Sequence, residues 1–244
     1  MKILGIIPAR YASTRFPGKP LVQINGKSMI RRVYEQACKA ESLANVIIAT
    51  DDERIAAEVK DFGGSYIITA SDHLSGTDRC AEVAERTPGY DAFINIQGDE
   101  PYIDPTQIDL VASCFNHKDT QLATLIKEIH SNEELFNTNI PKVLINSRQE
   151  AIYFSRQTIP HIRNAAEALW LSKHQFYKHI GIYGYTKEAL SAITKLPPAT
   201  LEIAESLEQL RWIENGFSIS IRITDIETIA IDTPEDLKKI NHAL

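Results

Sequence analysis

A basic segment near the N-terminus has the residue types that bind phosphate groups. Residues 8–20 read PARYASTRFPGKP and include the cations Arg10, Arg15 and Lys19, directly after an apolar run. Arginine forks and a lysine charge neutralise phosphate oxygens, while small residues such as Ser13 let the main chain approach an anion. The segment therefore predicts a triphosphate-binding loop. The alternative is a solvated basic loop.

Two acidic residues farther along the chain have the positions expected of magnesium ligands. Asp99 lies in the turn GDEP at 98–101, after the apolar run 92–97, and Asp232 follows the run 228–231. Mg²⁺ binds one or two carboxylates and completes its octahedron with phosphate oxygens and water. Either acid alone could be a turn or helix-start residue. As a pair, Asp99 and Asp232 predict a Mg²⁺ site.

Other polar segments suit a nucleoside and a hydroxyl-rich acid. The sequence SGTDR at 75–79 opens a predicted helix and offers backbone donors plus Arg79, although capping by Ser75 alone also explains it. Strand alternation places His179 and Tyr185 on one face of the run 179–185, where a purely structural histidine is the alternative. Further polar groups are Arg156, at a predicted strand end, and Glu208 and Gln209, on a predicted helix.

The elements that carry these segments predict a doubly wound, mostly parallel, Rossmann-like α/β sheet. Short β-branched runs at 2–7, 46–50, 65–68 and 92–97 alternate with helical spacing at 29–39, 53–61, 77–85 and 106–115. Such alternation is typical of βαβ units. Ligands of these sheets bind beyond the carboxyl ends of the strands, which is where the basic segment and Asp99 fall.

The pattern changes at about 122–186. Strands are predicted at 123–129, 142–146, 151–154 and 179–186, as a small mixed or antiparallel insertion that completes a substrate pocket within one domain spanning 1–244. Residues 164–175 predict a mobile lid or an exposed helix. Residues 202–214 predict one helix, 228–231 a strand, and Thr233 the N-cap of a final helix.

Composition excludes several classes of protein. With 244 residues and a net charge of −6, the chain lacks the excess of basic residues that duplex nucleic acids usually require. The N-terminal apolar stretch is too short for a signal or membrane-spanning segment, so no membrane partner and a cytoplasmic location are expected. Cys38, Cys80 and Cys114 form no CxxC pair and predict buried free thiols.

The motifs together resemble the 3-deoxy-manno-octulosonate (Kdo) cytidylyltransferases. The resemblance spans essentially the whole chain and depends on these segments: IPARYASTRFPGKPL at 7–21, SGTDR at 75–79, INIQGDEP at 94–101, YFSR at 153–156, KHIGIYGY at 178–185, LEQLR at 207–211 and DTPEDL at 232–237. The first of these is shared in looser form with cytidylyltransferases for sialic acid. The chain departs from the family in carrying Thr228 and Ala230 where glycine is common.

The resemblance implies a nucleotide-diphospho-sugar transferase fold, a Mg²⁺-dependent transfer from CTP to Kdo, a homodimer and a role in lipopolysaccharide synthesis. It implies these catalytic residues: Arg10, Arg15, Lys19, Asp99 and Asp232. The implied CTP-binding residues are Pro8, Ala9, Arg10, Ser13, Arg15, Lys19, Ser75, Gly76, Arg79 and Gln97. The implied sugar-binding residues are Gln97, Arg156, His179, Tyr185, Glu208 and Gln209.

Two alternatives remain open at the level of sequence. The acceptor could be the 8-amino analogue of Kdo or another ulosonic acid, because the same pocket residues suit a terminal hydroxyl or an amine. The chain could also be a nucleotide-binding regulator without catalysis, since a fold does not fix a function. The paired carboxylates argue against the regulator.

Overall fold

The computed structural model describes residues 1–12 and 16–237. The chain divides into two compact units, one formed by Met1–Ala112 with the chain from Thr228 onward, the other by Ser113–Glu227. The second unit contains the insertion predicted at 122–186 and extends beyond it on both sides. A single domain over 1–244 stays a prediction.

The first unit alternates strands and helices. Its elements are β1 Ile3–Ala9, β2 Gln23–Ile24, β3 Lys27–Ser28, α1 Met29–Ala37, β4 Leu43–Thr50, α2 Glu53–Asp61, β5 Tyr66–Ile68, α3 Gly76–Arg86, β6 Ala92–Asn95 and α4 Pro105–Ser113. A 3-10 turn at Lys19–Leu21 precedes β2, and β2 and β3 form a small antiparallel hairpin.

The main sheet of this unit is parallel, with the strand order β6-β1-β4-β5. Every residue of β6 is buried, so both faces of the sheet are covered. The chain moves outward from β1 to β4 and β5 and then returns to β6 on the opposite side of β1. The strand order therefore reverses between β1 and β6, and ligands of such sheets bind at that reversal. The predicted doubly wound, mostly parallel sheet is confirmed.

Local signals explain one boundary and fail at another. Helix α2 has its predicted bounds because Asp52 caps it, accepting a hydrogen bond of 2.9 Å from the Arg54 N–H. The strand predicted at 228–231 is wrong, since no strand forms there. Its Ile231 N–H donates instead to the Asp99 carbonyl at 2.9 Å. Thr233 accepts from the Asp236 N–H and caps the helical turn at 234–237, as predicted.

The second unit mixes parallel and antiparallel pairs. Its elements are β7 Leu122–Glu128, α5 Asn132–Phe136, β8 Lys142–Ile145, β9 Ala151–Ser155, α6 Trp170–Lys173, β10 Tyr177–Thr186, α7 Lys187–Ile193, α8 Thr200–Glu205, α9 Gln209–Glu214 and β11 Ile219–Ile223. Strand β7 pairs with β11 in parallel and with β10 in antiparallel fashion, while β8 pairs with β10 and β9.

Two predictions in this unit need correction. The exposed helix predicted at 164–175 is confirmed for the 3-10 turn Glu167–Leu169, whose residues are exposed. It is wrong at Trp170, which is 4% exposed and stacks on Phe176 with the ring centroids 6.3 Å apart. The continuous helix predicted at 202–214 is also wrong. It breaks at Ser206, whose φ of 51° lies in the left-handed region, because Arg156 donates to the carbonyls of Glu205 and Ser206.

The prediction of buried free thiols has a mixed outcome. All three cysteines are outside any disulfide, as predicted, but Cys38 is exposed rather than buried, while Cys80 and Cys114 are buried. Within residues 1–12 and 16–237, no helix has the length and apolar character needed to cross a bilayer.

Candidate active site

A cavity of about 320 Å³ opens at the carboxyl ends of β1 and β6 in the first unit. This is the reversal point of the sheet, and the volume is within the roughly 300–1,000 Å³ usual for small-molecule sites. Its walls bring together much of the predicted CTP and metal set. The predicted residues that line it are Pro8, Ala9, Arg10, Lys19, Ser75, Gly76, Gln97 and Asp99.

One lining residue lies outside every segment singled out from the sequence. Leu74 borders the cavity and is 91% exposed, which is unusual for so large an apolar side chain. The available signal was its position directly before the capped start of α3.

Glycine at position 98 allows the two strand ends to meet. A Cβ at Gly98 would lie 2.8 Å from the Pro8 carbonyl oxygen, closer than real Cβ contacts allow. The absence of a side chain therefore lets the turn carrying Asp99 pack directly on the end of β1.

Lys19 bridges the two predicted metal ligands. Its Nζ lies 2.9 Å from Asp99 Oδ2 and 3.3 Å from Asp232 Oδ1. The two carboxylates thus converge on one cationic atom although they are far apart in the sequence. The structure therefore brings Asp99 and Asp232 together around Lys19, while their role as metal ligands stays a prediction.

Three contacts hold the segment that carries Asp232. Ile231 donates its N–H to the Asp99 carbonyl, and its fully buried side chain packs in a cluster with Ile24 and Met29. The Thr228 hydroxyl donates to the Glu100 carboxylate. Burial raises the pKa of Glu100 to about 7; the Thr228 hydrogen bond opposes this rise and the Asp99 charge adds to it.

The basic segment folds back on itself beside the cavity. The Gly18 N–H donates to the Tyr11 carbonyl at 2.9 Å, and Gly18 adopts a φ of 74° that favours glycine. Arg10 donates to the His73 carbonyl, which anchors the segment to the loop before α3. The Arg54 guanidinium stacks on the Tyr11 ring at 3.2 Å from the centroid. Ser13 and Arg15 lie outside the described residues.

The residues of the segment SGTDR at 75–79 have two different roles. Ser75 and Asp78 form a reciprocal capping box, so the Ser75 hydroxyl is used at the helix end. Arg79 is fully buried, with its guanidinium 3.3 Å from Asp51 Oδ1, and burial lowers its pKa. Arg79 therefore lies in the core behind the helix start rather than among the residues that line the cavity.

In the second unit, the predicted sugar-facing side chains lie along β10. The His179, Tyr183 and Tyr185 rings follow one another, with centroids 5.2 Å and 6.2 Å apart. Trp212 meets both tyrosines edge-on. Tyr185 is fully buried, while His179 is half-buried and lies edge-on to Phe154. The prediction that these residues share one face is confirmed.

The remaining predicted sugar-binding residues surround the break between α8 and α9. Gln209 is 4% exposed, and within the described part of the chain its Nε2 has no hydrogen-bond partner. A buried donor without a partner is costly, which suits a site that a polar ligand completes. Arg156 donates to main-chain carbonyls at the break, and Glu208 is half-buried directly before α9.

His179 gives a prediction for acid stability. Burial lowers its pKa from 6.5 to about 4, so the folded protein resists protonation that the unfolded chain accepts. The stabilisation is complete above pH 6.5 and is lost as the pH falls toward 4. We expect the free energy of unfolding to decline there by up to about 1.4 kcal/mol per pH unit from this group. Urea titrations of the native protein and His179→Gln between pH 4 and 8 measure it; parallel declines in both would contradict the assignment.

The fold and site define a nucleotidyltransferase, and the comparisons with known proteins specify which. The cytidylyltransferase family model matches residues 4–229. A 3-deoxy-manno-octulosonate cytidylyltransferase of Parabacteroides distasonis is 55% identical over 98% of this chain and 96% of its own length. One from Bacteroides thetaiotaomicron is also 55% identical, with the same coverage.

A solved structure supports the same family. CMP:2-keto-3-deoxy-manno-octonic acid synthetase complexed with CTP superposes with a TM-score of 0.92 at 42% identity, covering 100% of this chain and 98% of that one. The chain belongs to the 3-deoxy-manno-octulosonate cytidylyltransferases.

Proposed function

We propose that this protein transfers the cytidylyl group of CTP to Kdo, giving CMP-Kdo and pyrophosphate. The observation that carries the proposal is the convergence of Lys19, Asp99 and Asp232 beside a cavity at the sheet reversal, in a chain of this family. The cavity can hold an anionic nucleotide in a protein with a net charge of −6, because two cations, Arg10 and Lys19, line it.

The two carboxylates fit Mg²⁺. Both are hard oxygen donors, and both already face one cationic nitrogen. Among the described residues no group of three or more His, Cys, Asp or Glu side chains could hold a metal ion. A Mg²⁺ ion held by Asp99 and Asp232 would therefore take its other ligands from phosphate and water, as this ion commonly does. Bound there, it would supply charge neutralisation at the α-phosphate.

The chain's own residues position the reactants. The anomeric hydroxyl of Kdo attacks the α-phosphorus in line and releases its proton to solvent. The bond from the α-phosphorus to the oxygen that bridges the α- and β-phosphates breaks, and pyrophosphate departs toward the basic segment. Arg10 and Lys19, with Ser13 and Arg15, hold the phosphates, which lowers the charge on the leaving group. Pro8, Ala9, Ser75, Gly76 and Gln97 lie nearer the nucleoside. Arg79 lies in the core behind these nucleoside-binding residues and supports them.

The acceptor is held by residues of the second unit. Arg156, His179, Tyr185, Glu208 and Gln209 bind the sugar acid in this proposal. The family resemblance further supports a cytoplasmic homodimer that serves lipopolysaccharide synthesis. Light scattering of the purified protein tests the dimer.

Thr228 offers a test of the metal site. Thr228→Val removes the hydroxyl that donates to Glu100 and so loosens the segment carrying Asp232. We expect the affinity for Mg²⁺ in the presence of CTP to fall by roughly five- to tenfold, the effect of one lost hydrogen bond. Calorimetric titration with Mg²⁺ measures it. Thr228→Ser keeps the hydroxyl and should bind Mg²⁺ normally; equal affinity in the valine and serine variants would argue against this link.

The proposed reaction is tested by pyrophosphate release. Purified protein with CTP and Mg²⁺ is given Kdo or its 8-amino analogue in separate assays, and kcat/KM is compared. We expect Kdo to be the better substrate. Faster turnover of the 8-amino sugar would reassign the acceptor, and release with neither sugar would contradict the function.

A further inference from the structure

Strand β10 contains a bulge beside the proposed sugar site. Opposite β7, Ile180 pairs with Leu125 while Tyr183 pairs with Thr124, so Gly181 and Ile182 are inserted between consecutive positions of the partner strand. Bulges of this kind change the direction of neighbouring side chains and are frequent beside functional sites. Here the bulge follows Ile180, the residue next to His179.

Thr124 binds into this bulge from β7. Its side chain is fully buried, and its Oγ1 lies 2.6 Å from the Ile182 carbonyl oxygen and 3.3 Å from that of Ile180. The same Oγ1 lies 3.0 Å from His179 Nε2. One hydroxyl therefore meets two carbonyl acceptors and one imidazole nitrogen.

The number of protons on these groups determines which of them donates each hydrogen bond. A threonine hydroxyl has a single proton, and a carbonyl oxygen only accepts. At 2.6 Å the Ile182 carbonyl requires that proton, because two oxygen lone pairs would otherwise repel. The threonine oxygen is then an acceptor toward His179, so His179 must carry its proton on Nε2.

We propose that Thr124 is a positioning residue that fixes His179 as the neutral Nε2–H tautomer, leaving Nδ1 as a hydrogen-bond acceptor for a hydroxyl group of the sugar acid. In the part of the chain that the structure describes, Nδ1 has no hydrogen-bond partner. The Phe154 and Tyr183 rings contact the imidazole and restrict its rotation. This inference rests on the proposed function for the identity of the sugar.

The tautomer can be read from the free protein. In ¹⁵N-histidine-labelled protein near pH 7.5, long-range ¹H–¹⁵N correlations distinguish Nε2–H, Nδ1–H and doubly protonated rings. The chain has seven histidines, and His179→Gln assigns the relevant signals. We expect Nε2–H for His179. An Nδ1–H or doubly protonated ring would overturn the proposal, whatever sugar the protein uses.

A variant pair tests the consequence for binding. Thr124→Val keeps the side-chain shape but removes the hydroxyl, so the Nε2–H preference should be lost and KM for Kdo should rise about tenfold, with KM for CTP unchanged. Thr124→Ser should restore both. A valine variant with a native His179 spectrum and native KM for Kdo would overturn the proposal, as would a serine variant that restores neither. Absence of any turnover with Kdo in the native protein would count against the proposed function instead.

Discussion

Replacing Asp99 by asparagine is expected to lower kcat on the order of 10³-fold while leaving the fold intact. Asp99 borders the cavity and shares Lys19 Nζ with Asp232, so the change removes one of the two charges that would hold Mg²⁺. Because the asparagine amide has the same shape as the carboxylate, the packing is kept. Any loss of rate then reflects the lost charge and not a lost structure. Pyrophosphate release at saturating CTP and Kdo measures the effect.

Asp91→Asn is the matched control for this variant. Asp91 is an exposed residue of the same unit that accepts a hydrogen bond from the Lys2 N–H and does not border the cavity. It should keep a near-native rate. An Asp99→Asn enzyme that releases pyrophosphate as fast as the Asp91 variant, with the same Mg²⁺ requirement, would contradict the metal role.

The second large effect concerns stability. Trp212 is 1% exposed and meets Tyr183 and Tyr185 edge-on at centroid distances of 5.1 Å and 5.8 Å. Trp212→Ala leaves a cavity behind the ring row of β10, which is the row formed by the rings of His179, Tyr183 and Tyr185. We expect the free energy of unfolding to fall by about 3–5 kcal/mol. Urea unfolding followed by circular dichroism measures it.

The same substitution should also impair the sugar site. With the support of Trp212 removed, the tyrosine rings can relax, so KM for Kdo should rise while CTP affinity is retained. Trp212→Phe keeps an aromatic edge and should lose less stability than the alanine variant. A loss below about 1 kcal/mol in Trp212→Ala would show that the ring row does not depend on this residue.

Local sequence signals predicted the parts of the fold that depend on local chemistry. Asp52 determines the start of α2 by capping residues directly after it. Lys19 and Asp99 were found because ligands bind beyond the carboxyl ends of parallel strands, which share one edge of the sheet. Much of the cavity lining follows from that rule, although Leu74 does not. No contact between distant segments had to be known.

The failures involve contacts between residues far apart in the chain. The helix break at Ser206 is held by Arg156, and the non-strand path before Asp232 is held by the Asp99 carbonyl. Arg79 resembles a surface cation in its motif, yet it is fully buried beside the half-buried carboxylate of Asp51. Thr124 escaped notice because a β-branched residue in a strand needs no further explanation. Its importance depends on a bulge that alternation does not reveal.

The most direct test of the proposed reaction is a ³¹P NMR spectrum of the protein with CTP, Kdo and Mg²⁺. Transfer predicts equal amounts of pyrophosphate and a new phosphodiester of CMP, with neither formed when Kdo is omitted. Formation of CMP and pyrophosphate without the phosphodiester would indicate hydrolysis. An unchanged CTP spectrum in the complete mixture would equally contradict the account.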